Sequence, residues 1–194
     1  MSQISTVCVY CGASPGLDPG HRRAARALGE SIAKAGLRLV YGGGRVGLMG
    51  VVADAALAAG GAVTGIIPGH IQSREVGHNE LSELLVVDSM HTRKRMMVER
   101  SDAFAVLPGG IGTLDEFVEI LTWRQLGLHD KPIVLVDLLG YWQNLMEMMD
   151  QMDAMGYLRP TPGGLFQRVE TVEEVLPALR RAAPSARPTR VDQA

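Results

Sequence analysis

Nine consecutive residues, Pro108-Gly109-Gly110-Ile111-Gly112-Thr113-Leu114-Asp115-Glu116, combine two kinds of chemistry within one turn. Before them runs the apolar stretch Ala103-Phe104-Ala105-Val106-Leu107, of the kind that forms a buried strand. After them Phe117, Ile120 and Leu121 recur at helical spacing. A strand, a glycine turn and a helix start, in that order, make an anion site. Gly109, Gly110 and Gly112 can adopt positive φ and let the backbone approach a ligand. The first free amides of the helix then point at that ligand from the positive end of the helix dipole. Glu116 is the discordant member, because a desolvated carboxylate beside a phosphate adds repulsion of up to roughly a few kcal/mol. The conflict resolves if the phosphate sits over Gly110 to Thr113 while Glu116 faces a sugar beyond it. There a carboxylate can stabilise positive charge developing on a ribose, or activate a water. Thr113 and Glu116 also match the capping box, Thr-x-x-Glu, in which the acid reaches back to the cap amide. On spacing alone the cap is the stronger reading.

Arg93-Lys94 is the second polar cluster, at the start of a helix spanning Met90 to Glu99. A cation there opposes the helix dipole, so the pair makes most sense with an anion present. An arginine can bind phosphate or carboxylate with two parallel bonds. Arg95 and Arg100 read as a solvated helix face. Glu75, in the polar stretch Gly69 to Glu80, reads either as an exposed loop charge or as a ligand contact. The loop from Gly42 to Gly50 carries Gly42, Gly44 and Gly47 at G-x-G-x-x-G spacing, but after the second strand rather than the first. Ligand contact and a plain tight turn stay equally open for it. Neither glycine loop has the Lys-Ser/Thr of a Walker loop. His70, His78 and His91 show no metal-ligand spacing and read as solvated loop histidines, so no metal is expected. Cys8 lies inside the apolar run Val7-Cys8-Val9-Tyr10, so the Cys8/Cys11 pair reads as structural, with redox chemistry the lesser alternative.

The elements that must position these residues alternate short apolar runs with longer amphipathic ones. That pattern predicts an α/β fold, a Rossmann-like doubly wound parallel sheet in a three-layer α/β/α sandwich. Strands are expected at Ile4–Tyr10, Leu37–Tyr41, Ala62–Ile67, Leu84–Val87, Ala103–Leu107 and Ile133–Val136. Asp18 caps the first helix, with Pro19 at its first position and Gly36 closing it. A small-residue helix runs through Val52, Ala55, Ala56 and Ala59. A Met-rich helix extends from about Tyr141 to Met152, and Thr171 caps a last helix that Pro177 is expected to kink. In an open parallel sheet, ligands bind beyond the carboxyl ends of the strands, where every glycine-rich stretch of this chain falls.

With 194 residues, 46% of them hydrophobic, the chain reads as one domain over residues 1–182. Residues 183–194, rich in Pro, Arg and Ser, read as a disordered tail. A net charge of -2 with no basic block argues against nucleic acid as a partner. No apolar run is long enough for a membrane span and no signal pattern opens the chain, so a soluble, cytoplasmic protein is expected.

These residues carry a resemblance to a known family. Pro108 to Glu116 fits P-G-G-x-G-T-x-x-E, and Met90-His91-Thr92-Arg93-Lys94 fits M-x-x-R-K. Cys8 to Ser14 and Tyr41 to Gly50 support them. Together they resemble the LONELY GUY (LOG) proteins, cytokinin riboside 5′-monophosphate phosphoribohydrolases often labelled lysine decarboxylases. The resemblance covers roughly residues 4–180. It implies hydrolysis of the N-glycosidic bond of AMP or an N6-substituted AMP to free base and ribose 5-phosphate, without a cofactor. It further implies Arg93 and Glu116 as catalytic residues. As binding residues it implies Glu75, Lys94, Gly110, Ile111, Gly112, Thr113, Leu114, Asp115 and Thr122, with Gly109, Gly43 and Ser14 on the neighbouring loops. Asp115 stands where the family often has Glu, and Ala13 where Ser is common. A homodimer with the site near its interface is implied. A general AMP nucleosidase, a non-catalytic nucleotide or cofactor carrier, and a pyridoxal-dependent decarboxylase using Lys94 are the alternatives.

Overall fold

The computed structural model describes residues 4–182 apart from 73, 74, 76, 160 and 162; the expected tail at 183–194 lies outside them. Seven parallel strands form one sheet: β1 (Thr6–Tyr10), β2 (Arg38–Tyr41), β3 (Val63–Pro68), β4 (Glu83–Val87), β5 (Ala103–Val106), β6 (Ile133–Val136) and β7 (Gln167–Val169). Their order is β4-β3-β2-β1-β5-β6-β7. The six α-helices of the described residues are α1 (Pro19–Lys34), α2 (Gly47–Ala58), α3 (Met90–Glu99), α4 (Ile111–Gln125), α5 (Gln143–Ala154) and α6 (Val175–Arg181).

The near-continuous apolar runs follow from burial on both faces, as parallel sheets require. Val7 and Val9 of β1 point to a core completed by Leu28 and Ile32 of α1, Val52 of α2 and Leu179 of α6. The alternate residues Cys8 and Tyr10 point to the opposite core, with Met97 of α3, Phe117 and Ile120 of α4, and the flank of α5. This is the expected three-layer α/β/α fold. The small residues of α2 serve α1 as much as the sheet, since a Cβ on Gly29 of α1 would collide with the Val52 carbonyl.

Three details differ from the sequence reading. Thr171 does not cap α6: the N-cap is Glu174, whose Oε2 accepts from Thr171 N at 3.0 Å. β7 was not anticipated; it is a three-residue edge strand whose only buried residue is Val169, so it lacks an apolar run. Pro177 does not kink α6. It occupies the third position of that helix, where an N–H would have no intrahelical acceptor to lose. Asp18 caps α1 as expected, its Oδ1 accepting from Gly20 N at 2.6 Å.

Candidate active site

The chain builds the sheet outward from β1 to β4 and then returns to β5 on the other side of β1. The loops after β1 and β5 therefore leave in diverging directions, and a crevice opens between them. Gly12 N donating to Pro108 O at 3.1 Å ties the two loops together at its floor. Above lies a cavity of about 630 Å³, walled by the β1 loop, the start of α1, the β5 turn, the first turns of α3 and α4, and Tyr141 after β6.

The helix start at its centre is open. α4 begins at Ile111 with Gly110 as N-cap and no side-chain cap, and its first internal bond runs from Leu114 N to Gly110 O at 3.0 Å. The capping box is thus corrected: Thr113 is the third helical residue and Glu116 the sixth, so their spacing does not span the cap. The glycines also work differently from expectation, since none of Gly109, Gly110 and Gly112 has positive φ. A Cβ on Gly109 would collide with Thr113 Oγ1, so that position is set by packing. A Cβ on Gly110 or Gly112 would meet nothing within 4 Å. Their bareness leaves open space over uncapped amides, which suits an anionic ligand.

Arg93 enters from α3, whose N-cap Ser89 accepts from Thr92 N at 3.1 Å. The side chain is only 4% exposed. Its Nη2 donates to Gly42 O at 2.8 Å and to Glu75 Oε2 at 3.1 Å. A Cβ on Gly42 would collide with that Nη2, which explains the first glycine of the Gly42–Gly44 run. Gly43 O accepts from His78 N at 3.0 Å, and Arg45 N donates to Glu75 O at 2.9 Å. The loop after β2 is therefore a clamp that holds Arg93 and Glu75, and Gly43 itself does not line the cavity. Arg93 Nε is buried with no protein partner among the described residues.

Glu116 completes the constellation from α4. It is half-buried, reached by solvent only through the cavity it lines. Burial pushes its carboxyl from 4.5 up to about 7; Arg93 and Lys94 oppose the rise, while Glu75 and Asp115 add to it. A carboxyl poised near neutrality, with a guanidinium beside it, can take a proton from water or hold charge against a forming cation.

Of the residues singled out from sequence, Ser14, Glu75, Arg93, Gly109, Gly110, Gly112, Thr113, Asp115 and Glu116 line this one cavity. Lys94, Ile111, Leu114 and Thr122 do not. Lys94 bridges Asp115 Oδ2 at 3.1 Å and Glu119 Oε1 at 3.0 Å, bracing α3 against α4. Burial opposes its charge, yet those two carboxylates leave its pKa raised. A lysine so engaged is a poor amine nucleophile, which weighs against Schiff-base chemistry. Thr122 donates to Val118 O at 2.8 Å within α4.

Sequence reasoning passed over Asp18, His21 and Tyr141, which form the far wall. Their only signal was position at the exits of β1 and β6. His78 is corrected from a solvated loop residue to a fully buried one, its Nε2 2.8 Å from Asp54 Oδ1 and its Nδ1 accepting from Glu80 N at 3.3 Å. Cys8 and Cys11 are buried free thiols facing opposite cores, and burial pushes both thiol pKa values well up. That supports the structural reading of the pair. Among the described residues no group of His, Cys, Asp and Glu is arranged to hold a metal ion, and no helix is long and apolar enough to cross a membrane.

A family model described as "Possible lysine decarboxylase" matches residues 49–179. The cytokinin riboside 5′-monophosphate phosphoribohydrolase of Rhodococcoides fascians is 44% identical over 176 residues, 90% of this chain and 89% of that one. The chain belongs to the LONELY GUY family. A second member, the Arabidopsis thaliana protein of the same name, is 40% identical over 183 residues, 94% of this chain and 85% of its own. The Moco carrier protein of Chlamydomonas reinhardtii has the same fold, with a TM-score of 0.71 at 22% identity over 93% of this chain and 98% of that chain. That last likeness concerns the fold alone.

Proposed function

We propose that this protein is a phosphoribohydrolase that cleaves the N-glycosidic bond of N6-modified adenosine 5′-monophosphates, releasing the free base and ribose 5-phosphate. One observation carries the reading: Glu116, poised near neutrality, shares a cavity with the buried Arg93 and an uncapped helix start. A carrier of an unchanged ligand has no use for a carboxyl held there against its own burial. The phosphate docks on the α4 amides at Gly110 to Thr113, and this remote binding holds the ribose against Glu116. As the C1′–N9 bond breaks, its electrons leave with the base and positive charge develops on the ribose. Ionised Glu116 stabilises that charge and accepts the proton of the water that attacks C1′. Arg93, fixed by Gly42 O and Glu75, orients the substrate and assists departure of the base, which gains the proton.

The protein acts in the cytoplasm as a homodimer. Ile111 is 81% exposed and Val118 47% exposed, one above the other on the outer face of α4. Such an apolar stripe beside the site is suited to a second copy. Thr122 stands on the same face, so its contact with substrate would be made across that interface.

Incubation with AMP and with N6-isopentenyl-AMP, followed by chromatography, tests the reading. Free base from the modified nucleotide is expected. Equal release of base from both would make the enzyme a general AMP nucleosidase, base from AMP alone would overturn the N6-modified substrate, and base from neither would refute hydrolysis.

A further inference from the structure

The far wall of the cavity has no part in the chemistry just described. His21, in the first turn of α1, is 9% exposed, lines the cavity, and its ring nitrogens make no hydrogen bond among the described residues. Its ring meets that of Tyr141 edge-on, with centroids 5.4 Å apart and planes at 83°. Tyr141 is in turn fixed to the glycine turn, its hydroxyl donating to Gly109 O at 2.6 Å. His21 is therefore held beside the open start of α4, on the side of β1 and β6. Arg93 and Glu75 approach the same helix start from the side of β2 and β4.

The charges of the lining make this placement consequential. Among the described residues of the lining, Asp18, Glu75, Asp115 and Glu116 are the carboxylates and Arg93 is the permanent cation, already bonded to Glu75 through Nη2. A nucleotide monophosphate brings close to two further negative charges. Among the described residues of the wall, His21 is the other side chain that can present a positive charge or a ring N–H donor to them.

We propose that His21 is a substrate-binding residue that grips the 5′-phosphate from the side opposite Arg93, completing with the α4 amides a cradle selective for phosphorylated ribosides. The assignment rests on the phosphoribohydrolase reading for the identity of the ligand. It does not depend on turnover for its test.

The probe is ribose 5-phosphate, titrated calorimetrically into the intact protein. His21→Phe keeps the edge contact with Tyr141 and removes the donor. Affinity for ribose 5-phosphate is expected to fall at least tenfold, as for loss of a hydrogen bond to a charged group, with an unchanged melting midpoint. His21→Gln, which restores a donor near Nε2, is expected to recover part of the affinity. Undiminished affinity in His21→Phe overturns the proposal, as does a wild type that fails to bind the probe at millimolar concentration. Affinity that falls only with the melting midpoint, in both variants, overturns it in favour of a packing role. Wild-type binding of the probe without release of base from any nucleotide would instead sink the hydrolase reading and leave His21 in place.

Discussion

Glu116→Gln is expected to abolish turnover and yet make the protein more stable in alkaline buffer. Burial raises the folded-state pKa of Glu116 from 4.5 to about 7. Below the lower value the acid is protonated in both states and contributes no difference. Between the two values the unfolded chain has released a proton that the folded chain still holds, so stability falls as pH rises. Above the upper value the loss is complete. At about 1.4 kcal/mol per pH unit the gap corresponds to at most about 3 kcal/mol. Glu116 is half-buried and the cavity admits water, so about 1–3 kcal/mol is the realistic range. Gln has nearly the same shape and no charge to desolvate. For a chain of this size each kcal/mol moves the melting midpoint by roughly 2–4 °C. Thermal melts of both proteins near pH 4.5, 6 and 8 should show the variant's lead growing from nothing to several degrees. A lead that is absent, or the same at every pH, would refute the claim that the active-site acid is held at the expense of stability.

The same acid sets the rate. kcat/KM should rise with pH through about 7 as Glu116 ionises, and Glu116→Gln should lower turnover by roughly 10²–10⁴-fold; a flat profile or an active variant would contradict the mechanism. Gly112→Ala places its methyl in open space, so the melting midpoint should hold while KM rises about tenfold or more. Gly109→Ala collides with Thr113 and should lose stability by roughly 1–3 kcal/mol in a denaturant titration. Gly42→Ala displaces the Arg93 guanidinium and should match Arg93→Ala in lost turnover, with the double variant no worse than either single one.

The layers were legible from the sequence because the strands β1 to β6 are short apolar runs and the long helices show their own periodicity, whereas β7 has neither signal. What resisted reading was anything decided by where separate segments meet. Thr113 and Glu116 have capping-box spacing, but a cap depends on which residue turns first, and packing of Thr113 against Gly109 moves that start back to Gly110. His78 lies in a polar stretch and looks solvated until Asp54, on a helix that precedes it by 24 positions, is brought to its Nε2. Gly42 looks like a phosphate-loop glycine until Arg93 arrives from 51 residues further on to lie against it. Arg93 and Glu116 were easier to place because each lies within the first two turns of a helix that follows a strand, where chain position dictates which edge of the sheet it faces. His21 and Tyr141 face that edge for the same reason, but no glycine run marked them. In a parallel sheet the exit of every strand is a candidate wall of the site, and the exits of β1 and β6 carry as much of this one as the motif at β5.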